Sequence, residues 1–405
     1  MLMFALGGAV LLIIIAACVW YITRNQPPMP DRLELVSAGF ADLDGWADDQ
    51  QSLALGALQR SCEPLLRRED AHSIGPDGLG GTVADWRVVC MAAKKVIGSD
   101  SVMARKFFET YFLPLLATNN GVTTGLFTGY YEPILHGSRV RTGEYNVPIY
   151  AKPGDLVTVN LESFNVSMKG QRLVGRVIEG RLLPYLDRKE IESGALDGRN
   201  LEIVWVNDAI DAFFLHIQGS GRVILKEGGT VRIGYAAKNG HEYFSIGKWL
   251  VAEDELSLET VSMQTIREWL RTNPSRALDV MAKNPSYIFF KNLNTDGVIG
   301  SQGVQLTAER SLAVDVNFVP LGIPVWVNTQ RPSEDPKKTD PVFRQLLVTQ
   351  DTGSAIRGPI RGDVFWGDGD IAEKLAGRMK HQGSYYLLLP IKTVERLKDT
   401  GKIKP

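Results

Sequence analysis

Asp351 closes the apolar run "LLVTQD", Asp363 lies in "GDVFWG" beside Phe365 and Trp366, and Asp315 ends "SLAVD". Each acid stands where a short apolar segment gives way to turn residues, so three carboxylates mark strand ends. Where such strands are neighbours, the carboxylates converge. Crowded anions raise one another's pKa, and the rings of Phe365 and Trp366 would add desolvation. One member of such a group holds its proton near neutral pH and can serve as a general acid. Clustered aspartates also bind Mg²⁺ or Ca²⁺, but no Asp-x-Asp-x-Asp-Gly loop or acid-rich segment supplies the further oxygens those ions need.

Asp351-Thr352-Gly353-Ser354 also has the form of the aspartic-peptidase tetrapeptide. A peptidase of that kind needs two aspartates on two such loops, because the pair shares one proton. One such loop is present, and "NTDGV" at 294–298 scrambles the order. The tetrapeptide reads instead as a polar turn, in which aspartate bonds the backbone two residues on and glycine takes a positive φ.

The elements that must position these acids follow from the rest of the chain. Its 405 residues exceed what one core usually organises, so two domains are expected. Forty glycines and twenty prolines, evenly spread, imply many turns and a β-rich fold. The formal net charge of −1 offers no broad attraction for a polyanion and argues against nucleic acid as a partner. From Met1 to Thr23 there is no charge, and "AVLLIIIAACVWYI" with its flanks is long enough to span a bilayer. A membrane-spanning anchor over residues 1–23 fits best. A lipoprotein signal would use Ile15-Ala16-Ala17-Cys18 and lipidate Cys18, but it lacks a basic n-region and is followed by apolar residues. A cleaved signal lacks small residues at an exit site before polar chain. If the remainder is exported, Cys62 and Cys90 can close a disulfide loop; two unpaired buried thiols fit the spacing equally. The five histidines are scattered and no CxxC occurs, so no metal or cofactor is expected.

After a proline-rich linker at 24–40, helical spacing runs through "GWADDQQSLALGALQRSCEPLLRR", "TVADWRVVCMAAKKVI" and "SVMARKFFETYFLPLLA", with Asp85 and Ser101 as N-cap candidates. From Gly121 the period changes to short apolar runs between turns, read as strands. "DAFFLHIQGSGRVIL" and "FSIGKWL" continue that pattern. Helical spacing returns across "ETVSMQTIREWLRTNPSRALDVMAKNPS" and again in "IAEKLAGRMKHQG", while the rest of the final third reads as β. "RPSEDPKKTDP" at 331–341 reads as an exposed loop.

Several stretches, in order, resemble the membrane-bound lytic murein transglycosylase A family, bacterial enzymes that cleave peptidoglycan glycan strands. They are "FTGYYEP" at 127–133, "VPIY" at 147–150, "PYLDRKEIESGAL" at 184–196, "FFLHIQGSGRV" at 213–223, "NPSYIFF" at 284–290, and the C-terminal segment with its three aspartates, which looks like the 3D domain. The resemblance implies a mainly β fold with N-terminal helices. A double-psi β-barrel would be assembled from 41–130 and 291–400, with a second β-barrel inserted at 131–290 and a groove between them. It also implies that Asp363 is the sole catalytic residue and that Asp315 and Asp351 support it. Thr128, Tyr130 and Tyr131 match a groove-lining motif on the first domain, and Gln218 and Ser220 match one on the second. The sequence departs from the family at Ser354, where a second glycine is commoner, and in lacking a clear lipobox.

That resemblance implies a periplasmic enzyme, membrane-attached through its N-terminal segment, acting on peptidoglycan and able to associate with other cell-wall enzymes. Ordinary glycosidases use two carboxylates; a lytic transglycosylase manages with one because the nucleophile belongs to the substrate. A non-catalytic wall-binding double-psi barrel and a true glycan hydrolase are the alternatives. Strand alternation sends Tyr130 and Tyr131 to opposite faces, so one can stack on a sugar while the other fills core. Gln218 and Ser220 can bond sugar hydroxyl or N-acetyl groups, although "QGSG" also reads as a plain loop. Arg357 and Arg361 read as solvated arginines or as partners for stem-peptide carboxylates.

Overall fold

The computed structural model describes residues 29–96, 100–295, 297–335 and 337–404. The apolar N-terminal segment and Cys18 lie outside the described residues. The described chain from Leu33 onward forms one unit. In chain order the strands are β1 (Leu33–Ser37), β2 (Phe112–Asn119), β3 (Gly125–Glu132), β4 (Ile134–Ser138), β5 (Val147–Tyr150), β6 (Val157–Asn160), β7 (Arg172–Ile178), β8 (Arg181–Pro184) and β9 (Glu202–Val206). They continue with β10 (Ser220–Leu225), β11 (Thr230–Lys238), β12 (Ile288–Asn292), β13 (Ser311–Val314), β14 (Pro324–Gln330), β15 (Val342–Asp351), β16 (Arg361–Asp368), β17 (Lys380–Pro390) and β18 (Ile403–Lys404).

β14, β15, β13, β16, β3 and β17 lie side by side in that order, and β17 returns to pair with β14. Six strands therefore close into a barrel, leaving no unpaired edge among them. β2, β1 and β18 extend the sheet from β17. β13, "SLAV", is buried throughout because it runs between two partners inside the barrel wall. Between β3 and β13 the chain builds a second sheet, in the order β12-β11-β10-β4-β9-β5, and a small meander of β6, β7 and β8.

The helix Gln51–Leu66 buries Ala54, Leu55, Ala57, Leu58, Cys62 and Leu65, one stripe at spacings of three and four, against the barrel. Cys62 is joined to Cys90 on the helix Val83–Ala93 by a disulfide. A cross-link closing a loop of that length contributes about 3–4 kcal/mol in the chain-entropy treatment. Trp46 packs edge-on against Trp326 at 5.3 Å and Phe108 at 6.4 Å, tying the N-terminal helices to β14.

Five local expectations are corrected by the fold. Thr82 caps the helix at Val83, and Asp85 is its third residue, completing a capping box. Asp100, one place before Ser101, caps the helix Ser101–Tyr111 by accepting from Val102 and Met103. That helix stops where β2 begins, because Pro114 cannot donate within a continuing helix and its ring would clash with the preceding turn. Ala209–Gln218 and Ile246–Ala252 are helices, not strands. The first buries Ala212, Phe213, Phe214, Leu215 and His216, so it is apolar on nearly every side and shows little helical period. Its true signals are Asp208, which accepts from Ile210 and Asp211, and Gly219, which ends it at φ 79°.

Candidate active site

One row of paired residues crosses the barrel wall. Asp351 on β15 stands opposite Ala313 on β13, Ala313 opposite Asp363 on β16, Asp363 opposite Thr128 on β3, and Thr128 opposite Lys380 on β17. Residues paired in this way share a face. Asp351 and Asp363 are thus two strands apart, roughly 10 Å between backbones at the usual strand spacing. The small side chain of Ala313 lies between them.

The two acids are held differently. Asp351 accepts four hydrogen bonds: at Oδ1 from the Ser301 amide at 2.9 Å, the Ser301 hydroxyl at 2.7 Å and the Thr352 amide at 2.9 Å, and at Oδ2 from the Tyr130 hydroxyl at 3.0 Å. Asp363 accepts at Oδ1 from the Thr128 hydroxyl at 2.5 Å, and Oδ2 has no partner among the described residues. Thr128 Oγ1 in turn accepts from Arg361 at 2.8 Å, which directs its hydroxyl proton toward Asp363. Burial raises the Asp363 pKa above the ordinary carboxyl value; the positive charge of Arg361 and the Thr128 bond hold it back, and the negative charge of Asp351 adds to the rise. Asp351 is likewise raised by burial, against the pull of its donors. Four donors favour the ionised form of Asp351, whereas the open Oδ2 of Asp363 is a place for a proton that can leave. Asp363 keeps partial solvent access, as a donor to substrate requires.

Asp315 takes another part. It is 3% exposed, and its carboxylate accepts from the Asn317 amide and side chain and, at 2.9 Å, from the Gly358 amide. Tyr385 donates to the neighbouring Pro359 carbonyl. Together they pin the loop 352–360 that follows Asp351. The three carboxylates therefore do not form one cluster: two share a face, and the third anchors the loop beside them.

Tyr130 is buried, stacks on Phe365 at 5.2 Å and points its hydroxyl at Asp351, so it fills core beneath the site. Tyr131 points the other way into the main core, where burial first and the charge of Glu373 second raise the pKa of its hydroxyl against the pull of Arg267. Its amide donates to Gln218 Oε1 at 3.1 Å. Gln218 thus ties the barrel to the inserted sheet at the last turn of a helix, and Ser220 is buried at the start of β10. Of the two aromatic residues beside Asp363, Phe365 shares its face, while Trp366 joins the main core against Phe343. Gly129, between Thr128 and Tyr130, lets the Trp366 indole approach to where a Cβ would lie 2.4 Å from its nitrogen.

Ser301 is a site residue that the sequence reading did not assign, and Arg361, read there as solvated or as a partner for stem-peptide carboxylates, instead stands beside Thr128 and Asp363. Arg361 is partly buried and bonds the Leu126 and Gly362 carbonyls as well as Thr128. A signal for it existed, since positions 361, 363 and 365 of one strand share a face. Arg357 is exposed, and its charge together with burial lowers the pKa of Lys238 at the end of β11.

The family model for the MltA specific insert domain matches residues 126–291, and that for the 3D domain matches residues 310–389. The membrane-bound lytic murein transglycosylase A of Escherichia coli K12 is 31% identical over 264 residues, 65% of this chain and 65% of that protein, so the match spans just under two thirds of the relative's length. Among solved structures, a membrane-bound lytic murein transglycosylase from Agrobacterium tumefaciens is 34% identical, with a TM-score of 0.78 over 90% of this chain and 99% of that one. MltA from Neisseria gonorrhoeae is 33% identical, with a TM-score of 0.71 over 90% and 94%. E. coli MltA with bound chitohexaose is 26% identical, with a TM-score of 0.63 over 90% and 93%.

Proposed function

Because the chain belongs to the membrane-bound lytic murein transglycosylase A family, we propose that it cleaves the β-1,4 bond from N-acetylmuramic acid to N-acetylglucosamine in peptidoglycan, leaving 1,6-anhydromuramic ends. Asp363 acts first as acid and then as base. Its proton passes from Oδ2 to the glycosidic oxygen as the C1–O bond breaks. The carboxylate so formed takes the proton of the muramoyl C6 hydroxyl while that oxygen closes on C1. Bond and proton counts balance within the substrate, and no water is consumed. Intramolecular attack lets one protein group suffice, since effective molarities for well-placed groups reach about 10⁵–10⁸ M.

The observation that carries this reading is the contrast between the saturated Asp351 and the half-open Asp363. The chitohexaose held by the E. coli relative supports a glycan as substrate. The disulfide favours an oxidising compartment, in keeping with a periplasmic enzyme attached through its N-terminal segment. In the same reading, 41–130 and 291–400 form a double-psi barrel domain and 131–290 the insertion. The test is muropeptide analysis of digested sacculi. Anhydro-ended products are expected; reducing muramic ends would make the protein a hydrolase, and intact sacculi would make it a binder.

The charge of Arg361 gives a further expectation. Proton donation requires neutral Asp363, so turnover falls as pH rises through its raised pKa. Arg361→Gln removes the cation that holds that pKa down, so the alkaline limb of the kcat profile should move to higher pH. A limb that stays in place or moves down would separate Arg361 from the proton donor.

A further inference from the structure

The inserted domain carries a half-open cavity of about 340 Å³ whose lining includes no residue of the six-stranded barrel. Its wall is built on a buried guanidinium. Arg188, 1% exposed, donates to the Asn284 carbonyl at 3.0 Å, the Ser286 carbonyl at 2.7 Å and Glu192 Oε1 at 2.8 Å. It also lies over the rings of Phe213 and Tyr287 at 4.8 and 5.2 Å. A charge this deep is kept only with a full set of partners, and one of those partners, Glu192, faces the cavity.

The second wall group is His216, 7% exposed. Its Nδ1 accepts from the Ile288 amide at 3.3 Å and faces Arg188 Nη2 at 3.5 Å. Burial and the charge of Arg188 keep the ring neutral by pushing its pKa well below the usual imidazole value. With Nδ1 accepting, the ring proton sits on Nε2. That N–H has no partner among the described residues, although the ring lines the cavity.

One guanidinium thus holds both groups, Glu192 through Nη1 and the His216 ring through Nη2, and both line the cavity together with the apolar Phe213, Tyr287 and Met281. Trp205 adds an indole to the lining, with the Arg141 guanidinium over one face at 5.1 Å from its ring centre. An acetamido group carries the matching set: a carbonyl for His216 Nε2–H, an N–H for the second oxygen of Glu192, and a methyl for the rings. A pyranose ring attached to it presents a C–H face that suits an indole. The volume lies at the small end of the range for ligand pockets, about 300–1,000 Å³, and suits one sugar unit better than a strand. We infer that the inserted domain carries a second binding site, for an N-acetylated amino sugar, separate from the site of Asp363. It makes no demand on the chemistry of Asp363, so this inference and the proposed function can fail independently. A site of this kind would let the enzyme hold one part of a sacculus while acting on another.

The test is titration of the full chain, labelled with ¹⁵N-histidine, by N-acetylglucosamine and in parallel by glucose, which lacks the acetamido group. The chain has five histidines, and the ring signal of His216 is assigned by its loss in His216→Gln, or by its Nε2–H tautomer if that variant does not fold. N-acetylglucosamine should move the His216 Nε2 signal to saturation and glucose should leave it in place. Glu192→Gln, which turns the free acceptor into a donor, should weaken binding about tenfold, equivalent to about 1.4 kcal/mol. Trp205→Ala should weaken it as well, and Asp363→Ala should leave it unchanged. An unmoved His216 signal, an equal response to glucose, or full affinity in both Glu192→Gln and Trp205→Ala overturns the inference. So does loss of the response in Asp363→Ala.

Discussion

Asparagine at position 363 is expected to lower kcat by about 10²–10⁴-fold, the span that general acid–base catalysis supplies, with KM little changed. Asparagine keeps the volume and can still accept the Thr128 hydrogen bond, but it has no proton to give and no carboxylate to take one back. Stability works in the opposite direction. The folded protein holds the Asp363 proton more tightly than the unfolded chain does. The aspartate therefore contributes stability below the ordinary carboxyl pKa, near 4, and loses it as pH rises through the raised folded value. At neutral pH Asp363→Asn should melt no lower than the parent protein. Activity lost without loss of melting temperature identifies a chemical role; residual activity above a tenth of the parent would remove Asp363 from the proton transfer.

The second large effect concerns the passage from barrel to inserted sheet. Glu132, the last residue of β3, is 1% exposed and meets Arg222 Nε at 3.0 Å and Arg232 Nε at 2.9 Å; Arg222 also reaches Asp368 on β16 at 2.8 Å. Burial raises the Glu132 pKa, and the two guanidiniums pull against that rise. Glu132→Ala leaves both without this partner where water reaches poorly, and breaking a buried pair from one side costs about 3–5 kcal/mol. Urea unfolding should show a loss of that size, with Glu132→Gln losing less because its amide oxygen still accepts. A change under about 1 kcal/mol, the range of exposed ion pairs, would mean that water compensates the arginines. Since Glu132 lies four residues after Thr128, its loss should also reduce turnover by disturbing the end of β3.

Much of this was legible in the chain. The strands of the final third carry their own signals: β15 is an apolar run ending at Asp351 and β13 one ending just before Asp315, whereas Asp363 lies inside β16 and not at a strand end as expected. The insertion was not so easily read at Ala209–Gln218, because a helix buried on almost every side loses the amphipathic period and leaves only its caps as evidence. Gln218 illustrates a different limit. Its residue type suits a sugar contact, yet its oxygen is occupied by the Tyr131 amide, a partner 87 residues away that no local pattern encodes.

The sequence by itself determined which side chains could carry protons, the strand character of the final third, and that two cysteines could cross-link. Tertiary structure alone decided how the three acids divide their work, because hydrogen-bond saturation depends on partners brought from distant strands and loops. Ser301 and Tyr130 fill the acceptor sites of Asp351, Gly358 takes Asp315, and Thr128, itself held by Arg361, leaves one oxygen of Asp363 open. A carboxylate's proton affinity follows from that local count of donors and charges and from its burial, and those are fixed only when the barrel closes.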